Sequence, residues 1–269
     1  MGNSTDVDER RERMHDMNIV VAVKVVPDDQ DIQVAASGEL DMSKAHQTIS
    51  AYDVNAIEAA AQLAASVGDS KVTVVTVGPA VIDDSKLKKN ILARGADELV
   101  MVADDACVDM DAYATAAALA SAIDGLDGWD VIVCGDGSAD NYAQQVDVQL
   151  AYKLGVPVTT AAVEIIPVDA GLCAKRRLED VVETVELPMP CVVSVLPDIA
   201  LPRIPGMKDI LAAGKKPMRV EGAPAAPETT VEIVDIKAPK AEERKLEVKS
   251  ASDDGAIEAF AAAIKSALQ

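Results

Sequence analysis

Residues 134–146 read CGDGSADNYAQQV and set two glycines, Gly135 and Gly137, beside two acids, Asp136 and Asp140, just after an apolar run. A glycine turn leading from a strand into a helix is where α/β proteins cradle phosphates, because the first helical N–H groups have no intrahelical partner. Apolar periodicity through Ala143, Val146, Leu150 and Leu154 predicts a first helical turn over Tyr142–Val146, whose N–H groups are placed to hold an anion. The loop is neither a Walker loop nor a dinucleotide fingerprint, since Asp140 stands at the third glycine position and no Gly-Lys-Ser/Thr follows. The competing reading is an ordinary turn with Asp140 as N-cap. A second stretch, SAYDVNAIEA, offers Tyr52 and Asp53 before a helix, either to meet a ribose or adenine or simply to pack and cap. AKRRLED (174–180) alternates basic and acidic residues as a solvated strand does, and AAGKKP supplies lysines that either steer an acidic partner or are merely hydrated. His46 has no base partner or nucleophile nearby in the sequence, and no nucleophile–base set or metal cluster emerges. The inventory is that of a binder or carrier without catalytic or metal-ligating residues.

These residues need a scaffold, and the chain provides an alternating one. NIVVAVKVV (18–26) is a continuous β-branched run expected as a strand buried on both faces. A helix follows, with Val54, Ile57, Ala61 and Ala64 at helical spacing and Gly68 as its stop; then come strand KVTVVTVGP, helix DDSKLKKNILARG, strand DELVMVAD, helix DAYATAAALASAI and strand WDVIVCGDG. Such repetition predicts a parallel sheet with right-handed crossovers and helices on both faces, whose ligands bind beyond the carboxyl ends of the strands. Past Gly155 the rhythm changes to consecutive strands, including VVETVEL with the alternation of an exposed antiparallel pair, and then to a proline-rich loop with a short helix near Lys208–Ala213. The expectation is an α/β, Rossmann-like nucleotide-binding domain over residues 17–218 with an antiparallel strand extension. Residues 1–16 read as a flexible extension without a hydrophobic signal core, and residues 219–269 as a core-poor arm ending in a helix with an Ile257, Phe260, Ala261 and Ile264 stripe.

Composition narrows the partners. With 45 acidic against 25 basic residues, a net charge of −20, and only six aromatic residues, the chain lacks the cationic patches and stacking platforms that nucleic acid requires. No apolar run reaches the roughly 20 residues that span a bilayer, so membrane insertion is not expected. The four scattered cysteines form no CxxC pair and suit reduced thiols in a cytoplasm.

Several segments in order resemble the β subunit of electron transfer flavoproteins, across about residues 18–217: IVVAVKVVPDDQ, ISAYDVNAIEAA, TVGPA, CGDGSADNYAQQV, KRRLEDVVETVELPMPCVVSV and PRIPGMKDILAAGKKP. VVPDDQDI, the nucleotide loop and IPGMKDILAAGKKP look most like the FixA-type members associated with carnitine and acyl-CoA metabolism. The resemblance implies a heterodimer in which an α subunit carries the electron-transferring FAD. The β subunit would bind AMP, or a second FAD in bifurcating members, and dock acyl-CoA dehydrogenase-like or quinone-linked redox partners. Carried over position by position, it implies a nucleotide pocket of Ala22, Ser50, Ala51, Tyr52, Asp53, Val77, Gly135, Asp136, Gly137, Ser138, Ala139, Asp140, Asn141, Tyr142, Ala143, Gln144, Gln145 and Val146, with the phosphate on the N–H groups of Gln144 to Val146. Pro205 and Met207 fall in the partner-recognition loop and Glu183 near the subunit interface. Where bifurcating members read Asp-Gly-Asp-Thr-Ala-Gln-Val-Gly-Pro, this chain has Asp140-Asn141-Tyr142-Ala143-Gln144-Gln145-Val146-Asp147, and so departs from them. The alternative to a flavoprotein subunit is a stand-alone nucleotide-binding regulatory protein of the same architecture.

Overall fold

A computed structural model describes residues 16–169, 171–223, 228–240 and 246–268. The expected N-terminal extension lies outside the described residues, apart from Asp16. The framework is a nine-stranded sheet in the order β11-β10-β9-β12-β8-β1-β6-β7-β13. Its strands are β1 (Asn18–Val23), β6 (Lys71–Gly78), β7 (Glu98–Ala103), β8 (Val131–Gly135), β9 (Val158–Val168), β10 (Gly171–Arg177), β11 (Val182–Pro188), β12 (Cys191–Val195) and β13 (Met218–Glu221). All neighbours from β9 to β13 run parallel, while β10 and β11 extend the sheet antiparallel as a ribbon.

Strand β1 shows why both faces must be covered. Ile19, Val21 and Val23 pack on one side with Ile57, Ala60 and Leu63 of helix α1 (Ala51–Val67) and Leu87 and Ile91 of α2 (Ser85–Ala93). Val20 and Ala22 pack on the other side with Leu119 and Ile123 of α3 (Ala112–Asp124) and Leu150 of α4 (Val146–Leu154). The period of two in the strand divides its β-branched residues between two cores, each closed by an alanine-rich helix that lets backbones approach closely. The sequence runs β1, β6, β7 outward on one side and then returns to β8 on the other side of β1. That reversal is the topological switch point, and a crevice opens there beyond the carboxyl ends of β1 and β8.

Three expectations are corrected. The run NIVVAVKVV is not one strand: β1 ends at Val23 and β2 (Val25–Pro27) turns away to pair antiparallel with β5 (Gln47–Ile49), because the Lys24 N–H donates to Asp53 Oδ2 at 2.7 Å instead of to a neighbouring strand. Asp53 does not cap α1, whose N-cap is Ser50; it sits within the first turn, buried. Helix α4 begins at Val146, with Gln145 as N-cap, rather than near Tyr142, because Tyr142 and Gln144 hold positive φ values of 44° and 54° that a helix cannot contain. A small hairpin of β3 (Gln33–Val34) and β4 (Leu40–Asp41) had no expectation attached to it.

Beyond β12 the chain forms an exposed loop and helix α5 (Met207–Ala213). The loop is tied to α1 by Asn55, which donates to the carbonyls of Pro197 and Ala200, and by Arg203, which donates to Glu58 at 2.6 Å. Burial alone would raise the Glu58 carboxyl, yet bonds from Arg203 and Gln62 hold it below its ordinary range. Strand β13 crosses the expected boundary at residue 218 and closes the edge of the sheet against β7. The last helix, α6 (Ala256–Ala267), buries Ala256 but leaves Ile257, Phe260 and Ile264 exposed. No helix among the described residues is long and apolar enough to cross a membrane.

Candidate nucleotide site at the sheet switch point

Asp53 organises the centre of the crevice. Its Oδ2 accepts the Lys24 N–H where β1 stops, and its Oδ1 accepts the Gly135 N–H at 3.2 Å where β8 stops. One carboxyl therefore fixes the two strand ends that flank the switch point. Gly135 is needed for this approach, since a Cβ there would stand 2.6 Å from Asp53 Oδ1. Burial raises the Asp53 carboxyl to about 7, against the lowering effect of the two N–H donors and the charge of Lys24.

The loop that follows is built around a tyrosine. Tyr142 lays its ring against Gly137, so closely that a Cβ on Gly137 would come within 2.3 Å of it. The Tyr142 hydroxyl donates to Asp136 Oδ2 at 2.6 Å, and the acceptor, together with burial, raises the phenol to about 12. Its ring lies 5.0 Å from that of Tyr52. Asp136 itself is buried, and its second oxygen, Oδ1, has no partner among the described residues. Asp140 pairs with the Lys24 ammonium at 2.6 Å instead of capping the helix; burial would raise its carboxyl, but the lysine holds it below its ordinary value. Lys24, the one lysine lining the cavity among the described residues, is thereby engaged by an acid of this loop.

The backbone supplies what the side chains do not. The N–H groups of Gln144, Gln145, Val146, Asp147 and Val148, at the start of α4, donate to no protein acceptor among the described residues. Gln144, Gln145, Val146 and Asp147 line a cavity of about 420 Å³, within the size range of small-molecule and cofactor sites. The chemistry on offer is clear: main-chain donors for an anion at one end, apolar wall for a planar ring, and acidic acceptors, Asp136 and Asp147, for hydroxyl or amine donors.

Of the residues picked from sequence, Ala22, Asp53, Val77, Gly135, Asp136, Gly137, Ser138, Asn141, Ala143, Gln144, Gln145 and Val146 line this cavity. Six others stand outside its wall. Ser50 is buried beneath the loop, its Oγ accepting the Ala139 N–H at 3.2 Å, while Ala51 is exposed. Tyr52 lies against Tyr142, Ala139 is tied to Ser50 and Asp140 to Lys24, so these residues hold the loop's shape without lining the cavity. Glu183 is remote, exposed on the β10–β11 ribbon opposite Arg176 with their charges 3.6 Å apart. Lys175 likewise pairs across strands with Glu164, and Arg177 pairs with Asp198 beyond β12, so the three basic residues of AKRRLED sit in surface ion pairs. Met207 is 74% exposed and Ile204 93% exposed, beside the half-buried Pro205. Lys216 is not free to steer a partner, since its ammonium donates to the carbonyls of Leu92 and Ala96. His46 rests on Asp31 at 2.8 Å on the surface, away from the cavity.

Sequence reasoning missed the other half of the wall. Met110 and Asp111 reach the cavity from the loop after β7, Tyr113 from the first turn of α3, and Thr230, Val231, Ile233 and Ile236 from the arm. The first group carried a usable signal, because Asp111 precedes a periodic alanine-rich helix directly after a strand end, at the same carboxyl edge of the sheet. Asp111 is indeed the N-cap of α3, accepting the Ala114 N–H at 2.7 Å; this bond, with further donors from Thr230 and Val231, outweighs burial and holds its carboxyl at about 2. Tyr113 is fixed from α4 by the Lys153 ammonium, 3.5 Å from its ring centre.

The sequence model described as electron transfer flavoprotein domain matches residues 38–226, more than half of the chain, and covers both α1 with Asp53 and the glycine loop before α4. The matched span also includes the loop at Met207, where Leu201, Ile204 and Met207 are exposed. A two-faced parallel sheet, an anion-ready helix start at its switch point and this match agree: the chain belongs to the electron transfer flavoprotein family, whose members are flavin-associated electron carriers rather than enzymes.

Proposed function

We propose that the chain is the β subunit of a heterodimeric electron transfer flavoprotein of the FixA type. It would work in the cytoplasm and pass electrons in acyl-CoA-linked metabolism. In this reading the electron-transferring FAD sits on the α subunit, and this chain contributes nucleotide binding, subunit assembly and the docking of redox partners. The observation that carries the reading is the row of unpartnered N–H groups from Gln144 to Asp147, on residues that line the cavity at the switch point. They suit the phosphate of AMP or the pyrophosphate of a second FAD, since the one lysine lining the cavity among the described residues, Lys24, is paired with Asp140. Asp136 Oδ1, an acceptor in need of a donor, suits a ribose hydroxyl or an exocyclic amine of the nucleoside. The free, mostly buried cysteines fit a reducing compartment. Exposed apolar residues on α6 and on the Met207 loop fit surfaces that proteins cover.

The deciding experiment is co-expression with a candidate α subunit, followed by denaturation and a nucleotide count. A stable 1:1 yellow complex is expected. Two FAD per heterodimer would leave AMP without a place, and one FAD with one AMP would exclude bifurcation. A chain that stays alone and colourless but retains a nucleotide would instead make it a stand-alone nucleotide-binding protein.

A further inference from the structure

We propose that the arm segment from Thr230 to Ile236 is a working wall of the nucleotide site, strapped over the cavity by Asp111, so that bound nucleotide and ordered arm stabilise one another. The inference rests on the nucleotide reading above. Its basis is the division of labour at one carboxylate. Asp111 Oδ1 serves the body, accepting the Ala114 N–H that caps α3. Oδ2 serves the arm, accepting the Thr230 N–H at 2.7 Å, the Thr230 hydroxyl at 2.8 Å and the Val231 N–H at 2.9 Å. An extended chain lying by chance on a surface would not converge two consecutive main-chain donors and a hydroxyl on a single oxygen. Charge-assisted bonds of this kind are stronger than neutral ones.

A second anchor lies farther on. The Ala238 N–H donates to the Gly38 carbonyl at 2.8 Å, and the Lys237 backbone forms an antiparallel β-bridge with Glu39 beside the turn of the β3–β4 hairpin. Between these anchors Ile233 and Ile236 overhang the cavity, 50% and 51% exposed. Two half-exposed isoleucines held over an apolar-walled cavity form a cover for a planar ring. A ligand touching both body and strap favours the strapped state in proportion to the affinity it gains there.

The test uses the full-length chain stripped of nucleotide on charcoal, with AMP and FAD as separate probes. Calorimetry gives the Kd, and the rate of tryptic cleavage after Lys237 reports the strap. With the tighter probe at about 100-fold its Kd, cleavage is expected to slow about tenfold or more. Asp111→Ala should weaken binding about tenfold and abolish that protection. Because Asp111 also caps α3, the double variant Ile233→Ser/Ile236→Ser, which leaves the cap intact, should do the same. Binding to the wild type that neither variant weakens, with cleavage indifferent to ligand, overturns the strap alone. If neither probe binds the wild type, the nucleotide reading falls and takes the strap's role with it.

Discussion

A carboxyl buried between two backbone N–H donors, as Asp53 is, serves the fold in whichever protonation state it holds, but not equally. Its folded value of about 7 lies above the ordinary value of 3.8, so between those limits the folded chain binds a proton that the unfolded chain releases. Folding stability attributable to Asp53 is therefore fully present below about pH 4 and is lost as the pH rises through 7. The carboxylates whose values lie below the ordinary range, such as Asp111 and Glu58, titrate lower and leave this window to Asp53. Denaturant unfolding should show the wild type losing up to about 4 kcal/mol between pH 4.5 and pH 8, as an order-of-magnitude ceiling. In Asp53→Asn that slope should vanish: the variant should be less stable than wild type by about 1–3 kcal/mol at pH 4.5, because an amide cannot accept both N–H groups, and the gap should close or reverse by pH 8 as the wild-type carboxyl ionises. A slope that persists in the variant would assign the titration to another group.

At the scale of elements, what the sequence displays is periodicity, and periodicity located every long helix and the strands of the main sheet other than β13. It did not locate interruptions made by tertiary bonds. Nothing in NIVVAVKVV announces the break at Lys24, because the cause, Asp53, lies 29 residues away. Tyr142 and Gln144 do not advertise left-handed backbone as glycine does, so the start of α4 was placed four residues early. Short β13 and the arm over the cavity have no repeating pattern at all, and their positions follow from non-local partners, β7, Asp104 and Asp111. Half the cavity wall was legible for the same reason: strand-end glycines and acids are local signals, whereas Ile233 and Ile236 gain meaning only from the strap. Helix α6 was legible as amphipathic, yet its stripe faces outward, with Phe260 66% exposed. Deleting residues 257–269, which leaves the buried Ala256 in place, should leave the unfolding free energy of the isolated chain within about 0.5 kcal/mol of wild type, since exposed surface elements contribute little. The same deletion should abolish co-purification of the flavin-bearing subunit. Retained 1:1 assembly would move the subunit contact elsewhere.

The whole molecule carries a net charge of −20, and against that background its cations are unevenly placed. Lys86, Lys89 and Arg94 of the α2 region share a cleft with Pro205 and Ile210, and Lys208 and Lys215 lie exposed at the two ends of α5. Lys89 reaches to 3.6 Å of where a Cβ on Gly214 would stand, so the basic residues of α2 and the Met207 loop form one face. In its midst Ile204, Met207 and Leu211 project apolar surface into water. Such a face fits a redox partner with an apolar socket ringed by acids, since the rest of the acidic body repels such a partner and leaves this orientation favoured. The two components should separate kinetically. Rapid-mixing measurement of electron transfer to the partner should show the association rate falling about tenfold between ~20 and ~200 mM salt as the charges are screened. Lys89→Glu should lower that rate at low salt and leave dissociation nearly unchanged, whereas Met207→Ala should speed dissociation with little change in salt dependence, because apolar contacts are lost only after docking. Flavin content should be the same in all three proteins. Association that ignores both salt and Lys89→Glu would show that this cationic face does not meet the partner, whatever the fate of Met207.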